Sequence, residues 1–452
     1  MAAVHEIRIL DHSPVSPPKG SVPETTIPLT FFDIFWHFGA TVDRVFFYEF
    51  RHSTTHFIHH LLPTFKSSLS LTLQHFFPLA GHVRPSPSSP DHFEIHYTDG
   101  DSISLIIAES AGDFDQLVGD QPRDFAKLKP LIPSLDSETE ELMALQVTLF
   151  PNHGLCLGVS IMHVVSDGPS SMNFIKSWAA TCLAGGAVAV LSSPPLFDRS
   201  SIIVDTENLY HSTLQTAMVM RAKSKQFASN VDLPDDVVWA TFSLKKEVIK
   251  KLKDMIMARY DHGDRTLFHC STFVAACAYM WTCLIRSRGW PRERTAHLVF
   301  AVDARTRLTP AISPAYFGNC LSFCFVEAKV GDVVDGDDGV CVAAEYVGKA
   351  IDELKHGVLR GAEGWWEKFN DLAPLRPLSF AGSPKLGVYD SDFGWGKPVK
   401  VEVTSIKGTG AMSIAETGKE EGGLEFGLAF PQPEIDAFEA CFTAGIHLLM
   451  NK

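Results

Sequence analysis

An α+β fold with mixed sheets is what this chain predicts, on three observations. Strand-like alternation and helix-like periodicity follow one another without the strict βαβ order of a doubly wound sheet. No short-period repeat interrupts the mixture. The 452 residues, 45% hydrophobic and 20% charged, make a folded chain of roughly two or three domains with ample core.

Composition narrows the function classes. The formal net charge is -14, from 53 acidic and 39 basic residues. So acidic a surface argues against nucleic acid or an anionic membrane as partner, and a polyanionic small ligand needs a local basic patch. Nine cysteines without a spacing pattern cannot all pair internally, which implies a reducing compartment. No signal-peptide pattern and no apolar run of membrane-spanning length is present. The expectation is therefore a soluble cytoplasmic protein.

Along the chain, residues 13–28 are rich in Pro and Ser and read as an extended surface lead-in. Residues 31–48 carry Phe31, Phe32, Phe35, Trp36, Phe38, Phe46, Phe47 and Tyr48, and read as a core element. Phe57, Leu61, Leu62, Leu69, Leu73 and Phe76 share a face, which predicts a helix over 56–77, ended by Pro78 and Gly81. Residues 93–97 and 102–107 alternate like strands. A further strand pair, 142–150 and 155–162, surrounds the turn Pro151-Asn152-His153-Gly154. Helical spacing returns over 169–184 through Met172, Ile175, Trp178 and Ala179, and Gly185 and Gly186 stop it. Residues 192–236 read as a crossover loop between an N-terminal domain, 1–191, and a C-terminal domain, 237–452, whose segment around 375–398 packs with the first. The second half reads as strand 239–244, helices 246–259 and 271–286, strand 298–303 and helix 340–359. Strands 399–406, 411–415 and 424–430 and helix 434–449 complete it.

Several motifs resolve into ordinary structure. His52/His56 and His56/His60 are i,i+4 pairs with His59 beside them, a metal-ligand spacing, but no carboxylate accompanies them at metalloprotease spacing. Residues 332–339 lack the oxygen-ligand order of a calcium loop and read as an acidic loop. Gly408-Thr409-Gly410 fails the dinucleotide fingerprint, and Gly158-Val159-Ser160 lacks the closing Gly of a nucleophile elbow. Cys320 and Cys324 bracket a strand-like run and read as core thiols. No metal site is expected.

The informative stretch is His163-Val164-Val165-Ser166-Asp167-Gly168-Pro169. A strand ends at His163 and a helix starts near Pro169. The imidazole thus stands at the mouth of a sheet, and Asp167 is placed to cap the helix. The second stretch is Asp392-Phe393-Gly394-Trp395-Gly396, a tight turn around a rigid aromatic.

Together and in this order, the two stretches resemble the plant BAHD acyl-CoA-dependent acyltransferases. The likeness extends over nearly the whole chain. It includes Phe76-Phe77-Pro78-Leu79-Ala80-Gly81, Pro195-Leu196-Phe197-Asp198-Arg199, residues 302–308 and Tyr316-Phe317-Gly318-Asn319-Cys320. The last form is similar to the clade acting on anthocyanin and other phenolic glycosides.

The resemblance implies two similarly built, chloramphenicol acetyltransferase-like domains, each a mixed sheet with flanking helices. Donor and acceptor enter a channel between them from opposite faces. It implies acyl-CoA as co-substrate with no further cofactor, small-molecule partners and a monomer. His163 then deprotonates the acceptor hydroxyl in a ternary complex, without an acyl-enzyme. An alcohol needs such a base, and the tetrahedral oxyanion needs a donor. Asp167 is implied to turn away and pair with an arginine, Arg305 ahead of Arg307. Trp395 offers an indole N–H to the oxyanion or is structural, while Asp392, Gly394 and Gly396 shape the turn. For the phosphates of CoA, the basic run of Lys245, Lys246, Lys250, Lys251 and Lys253 points to Lys245 and Lys246. Ser271 and Thr272 open a helix whose N-terminus suits a phosphate.

Two alternatives keep the fold: a catalytically silent binding module and an acyl-CoA thioesterase. The intact His163 weighs against the first. The lack of an evident activated Ser or Cys weighs against the second. For the donor, Pro169, Ser170 and Ser171 stand where malonyl-using relatives often carry a basic residue. A hydroxycinnamoyl group is therefore expected ahead of malonyl, whose carboxylate needs a cation such as Arg305 or Lys385.

Overall fold

The computed structural model describes residues 7–37, 41–136, 140–186, 193–199, 203–205, 207–227, 237–260 and 268–451. Two mixed sheets organise it. The first runs in the order Ile7–Val15, Ile103–Ser110, Met143–Phe150, Gly154–Met162, Thr41–Glu49 and Lys400–Val403. Its Ile103–Ser110 and Met143–Phe150 pairing is parallel and the others antiparallel. The second runs Leu321–Lys329, Thr295–Asp303, Leu378–Gly382, Met412–Glu416, Leu424–Pro431, Val237–Leu244 and Arg123–Asp124. Leu378–Gly382 is parallel to both of its neighbours. Thr25–Pro28, Ser89–Tyr97 and His82–Ser86 form a small third sheet.

The central hairpin of the first sheet carries the site. Every residue of Met143–Phe150 is buried, as a strand covered on both faces requires. Asn152 adopts the left-handed conformation, φ 66°, in the reversal before Gly154. Gly158 is demanded by packing, because a Cβ there would stand 2.1 Å from the carbonyl oxygen of Leu131. The helix Gly168–Leu183 follows and buries Met172, Phe174, Ile175 and Trp178 against the sheet.

The two sheets exchange strands. Lys400–Val403 leaves the second half to pair with Thr41–Glu49. Arg123–Asp124 leaves the first half to pair with Val237–Leu244. Between the sheets lies a separate core with Val45, Phe47, Phe114, Phe125, Trp239 and Ile406. A buried ionic cluster closes it. Arg123 donates to Glu402 at 2.6 Å, Thr241 to the same carboxylate at 2.9 Å, and Lys400 to Asp120 at 2.7 Å. Of the segment expected to return to the first domain, Leu378–Gly382 belongs to the second sheet, whereas Leu386, Val388, Tyr389 and Phe393 join the first core.

Four readings change. The stretch 192–236 is not all loop, because Leu209–Phe227 is a helix. It buries Leu209, Tyr210, Thr213, Leu214 and Ala217, a helical stripe set in a polar sequence. Residues 332–339 are not a loop either, since the helices Val330–Val334 and Gly336–Glu353 run through them. Asp335 stands at the start of the second helix, where negative charge meets the positive end of the dipole, and Arg292 binds it at 2.6 and 2.7 Å. The aromatic element 31–48 divides into the helix Phe31–Ile34 and the strand Thr41–Glu49, with Phe38 outside the described residues. The lead-in 13–28 is not extended surface throughout: its first residues end the edge strand Ile7–Val15, which carries a bulge between Ile9 and Asp11, and its last form the strand Thr25–Pro28.

Candidate active site

Strand Gly154–Met162 ends one residue before His163. The chain reverses there, with the Val165 N–H donating to the Met162 carbonyl at 3.1 Å. Asp167 then caps the helix Gly168–Leu183, its Oδ1 accepting from the Ser170 N–H at 3.1 Å. This junction leaves the half-buried His163 ring at the rim of the sheet.

Asn319 fixes the protonation pattern of that ring. Its Nδ2 donates to the carbonyls of His163 at 2.8 Å and Val164 at 3.3 Å, and to Asp33 Oδ1 at 3.0 Å. All three are acceptors, so the NH2 must face them and Asn319 Oδ1 must face the imidazole. His163 Nδ1, 3.1 Å from that oxygen, therefore carries the hydrogen. Nε2 keeps its lone pair and is free to take a proton. Trp36 covers one face of the ring, stacked at 3.7 Å between centroids and 10° between planes. Burial pushes the His163 pKa below its ordinary value, opposed by its own backbone and by Asp167, Asn319 and Asp33. The shift favours the neutral imidazole.

Asp167 turns away from His163. It pairs with Arg305 through two bonds, 2.8 and 3.0 Å, and accepts the Cys320 N–H at 3.1 Å. Arg305 also donates to Ser170 Oγ and to the carbonyls of Tyr316 and Gly318, each at 3.2 Å. Burial works against its charge, but Asp167 beside it holds its pKa above the ordinary value. Arg307 instead donates to the Asp303 carbonyl at 3.0 Å.

Trp395 is not brought to His163. It stacks on Phe393 at 5.5 Å and packs against Tyr48, Phe50, Phe57 and Phe65. In register, Tyr48 faces Leu155 whereas Thr41 faces Met162. Seven strand residues separate the two positions, roughly 23 Å. Of the two roles open to Trp395, oxyanion donor or structural, this packing against the first core favours the structural one. Asp392 Oδ1 accepts the N–H of Gly394 at 2.8 Å and of Gly396 at 3.0 Å. Both glycines have φ above +100°, so the motif is a self-bonded turn.

The residues expected to hold CoA open two helices of the second half. Lys245 and Lys246 stand at the start of helix Lys246–Tyr260, where the Lys246 N–H donates to Glu420 at 2.8 Å. Ser271 caps the helix Thr272–Arg288 by accepting the Val274 N–H at 3.2 Å. The lysine whose charge acts on Cys270, next to Ser271, is Lys253. It lies seven residues past Lys246, about 10 Å along the helix.

The rings of His52 and His56 stack at 4.3 Å, and those of His56 and His60 lie 4.9 Å apart. A π-turn at Phe57–Leu61 disturbs their helical spacing. Among the described residues no group of three or more His, Cys, Asp or Glu is arranged to hold a metal ion. No helix among them is long and apolar enough to cross a membrane.

Sequence reasoning passed over Asn319, Asp33, Arg199 and Trp36. Asn319 and Arg199 lie inside stretches that carry the family resemblance, but nothing in their spacing assigns a role. Beyond Trp36, an aromatic wall continues through Phe35, Phe323, Trp365 and Phe369, with centroid spacings of 4.9 to 6.4 Å.

With this geometry in place, comparison with known proteins is direct. The family model described as "Transferase family" matches residues 7–444. The chain is 34% identical to the malonyl-coenzyme A:anthocyanin 3-O-glucoside-6''-O-malonyltransferase of Dahlia pinnata, covering 99% of each chain. It is 35% identical to coumaroyl-CoA:anthocyanidin 3-O-glucoside-6''-O-coumaroyltransferase 1 of Arabidopsis thaliana, covering 97% of each. Phenolic glucoside malonyltransferase 1 of Arabidopsis thaliana is 34% identical over 97% of this chain and 98% of its own. The fold is that of crystalline vinorine synthase, with TM-score 0.69 and 21% identity over 96% of both chains. It is also that of F. sporotrichioides TRI101 complexed with coenzyme A and T-2, with TM-score 0.65 and 15% identity over 92% of this chain and 97% of that one. On the match over residues 7–444 and relatives at about a third identity along almost their full length, this chain belongs to the Transferase family, the BAHD acyl-CoA-dependent acyltransferases.

Proposed function

We propose that this enzyme transfers an acyl group from acyl-CoA to a sugar hydroxyl of a flavonoid, anthocyanin or other phenolic glycoside, with His163 as general base. One observation carries the base assignment: the Nδ1–H is committed to Asn319, so the lone pair sits on Nε2. A neutral imidazole at that atom takes the hydroxyl proton as oxygen attacks the thioester carbonyl, and thiolate leaves as CoA. Relatives acting on anthocyanin glucosides and phenolic glucosides support the acceptor class. Lys253 and the start of the helix Thr272–Arg288 are the candidate contacts for the phosphates of CoA. A cytoplasmic monomer is part of the same reading, and the nine free cysteines, eight of them buried, fit a reducing compartment.

For the donor, the aromatic wall at Trp36 favours a flat hydroxycinnamoyl group. One residue supports malonyl as a second reading. Arg44 is 5% exposed and lines a cavity between the sheets with Leu386, Val388 and Ser413. Its Nη1 donates to the Met172 sulfur at 3.1 Å, and its Nε is buried without a hydrogen-bond partner. Burial pushes its pKa down to about 10, with Glu416 opposing. A buried guanidinium in this state welcomes a carboxylate.

The test is thiol release from coumaroyl-CoA and malonyl-CoA at equal concentration, with and without one flavonoid glucoside. Acceptor-dependent release with mainly coumaroylated product is expected. Mainly malonylated product, lost in Arg44→Met, selects the second donor. Release without acceptor would make the protein a thioesterase, and no release a silent module.

A further inference from the structure

We propose that Asp33, backed by Arg199, is a positioning residue that sets the tautomer of His163 through the side-chain amide of Asn319. The proposal rests on the reading of His163 as base and adds how that base is kept in its competent form.

Asp33 is fully buried, and each of its hydrogen-bond neighbours is a donor. Oδ2 accepts from the Thr30 N–H at 2.8 Å, the Thr30 hydroxyl at 2.7 Å and Arg199 Nη1 at 2.5 Å. Oδ1 accepts from the Asn319 backbone N–H at 3.1 Å and from Asn319 Nδ2 at 3.0 Å. Arg199, 2% exposed, is held in turn by the Phe317 carbonyl at 3.4 Å, so the ion pair grips the same loop that carries Asn319. An amide has two nearly isosteric orientations. If that of Asn319 turned over, its oxygen would meet the Asp33 carboxylate and the His163 carbonyl. Its NH2 would then face His163 Nδ1, which would have to accept, and the ring hydrogen would move to Nε2. That atom would no longer abstract a proton. The negative charge of Asp33 is what makes this orientation most unfavourable, because a charged acceptor prefers N–H over C=O more strongly than a neutral one does.

Asp33 reaches no reacting atom itself, since its link to the imidazole runs through Asn319. The Thr30-x-x-Asp33 spacing also makes it a capping-box residue of the short helix Phe31–Ile34. A purely structural role is therefore the competing account, and the test must separate the two.

The test uses the full-length enzyme labelled with 15N-histidine. The ring signals of His163 are assigned by their loss in His163→Ala, and kcat and KM are measured beside them. Wild type is expected to show Nδ1-protonated His163. Asp33→Asn places an NH2 among donors. It is expected to show Nε2-protonated His163, with kcat down roughly 100-fold and the KM for acyl-CoA within about twofold. Asn319→Ala, which spares the buried ion pair if Asp33→Asn fails to fold, is expected to show mixed tautomers and a similar loss of kcat. A folded Asp33→Asn or Asn319→Ala with His163 still Nδ1-protonated and kcat per folded molecule unchanged would overturn the proposal. Retained turnover in His163→Ala would instead remove the base reading, while the tautomer signals would still judge the role of Asp33.

Discussion

At the scale of single residues, the account turns on a half-buried histidine whose surroundings favour its neutral form. Burial lowers the His163 pKa from the ordinary 6.5. The base works only when unprotonated, so the acidic limb of the kcat/KM–pH profile, which reports the free enzyme, should fall below pH 6.5 and be absent from His163→Ala. A limb at or above that value would contradict the environment described. The same shift has a stability sign. A depressed folded-state pKa means that the unfolded chain binds the proton more readily, so stability is lost as pH falls below 6.5. Asp167 differs in kind, because Asp167→Asn breaks a buried pair whose partner side chain is 2% exposed. The expected cost is about 3–5 kcal/mol, read as a lower Tm and soluble yield with activity per folded molecule largely kept. Unchanged Tm with lost turnover would place Asp167 in the chemistry. His163, Asp167 and Arg305 were legible because a strand–helix junction and a resemblance named them. Asn319 was not, because its role depends on three acceptors contributed by two distant segments. The two roles of Trp395 could not be separated from sequence, because two motifs of one family need not meet in space.

At the scale of elements, the exchanged strands hold the two halves in register. Glu402 lies on Lys400–Val403 in the first sheet and binds Arg123 and Thr241 of the second. Glu402→Ala leaves Arg123 and Lys400 buried beside each other without their shared carboxylate. The expected loss is about 3–5 kcal/mol, read by thermal unfolding as a Tm several degrees lower. A Tm within a degree of wild type would show that the ionic cluster is incidental. Most helices and strands were readable from periodicity to within a few residues. The helix Leu209–Phe227 was hidden by its polar outer face, and the helix opening near Gly336 by acidic residues that serve the dipole. The strand exchange leaves no local pattern, since the partner of Arg123–Asp124 lies more than a hundred residues away.

At the scale of the whole molecule, two mixed sheets share a core between them and present His163 at the rim of the first. The net charge of -14 repels a CoA polyanion at long range, which is why the proposed contacts for its phosphates are a local cation, Lys253, and a helix N-terminus. The central claim is that one imidazole nitrogen, Nε2 of His163, takes the acceptor proton. The most direct measurement is single-turnover acyl transfer by His163→Ala to a flavonoid glucoside, with CoA affinity determined on the same sample. Transfer should fall by roughly 100-fold or more while CoA affinity and Tm stay near wild type. Wild-type transfer by a folded, CoA-binding His163→Ala would contradict the account.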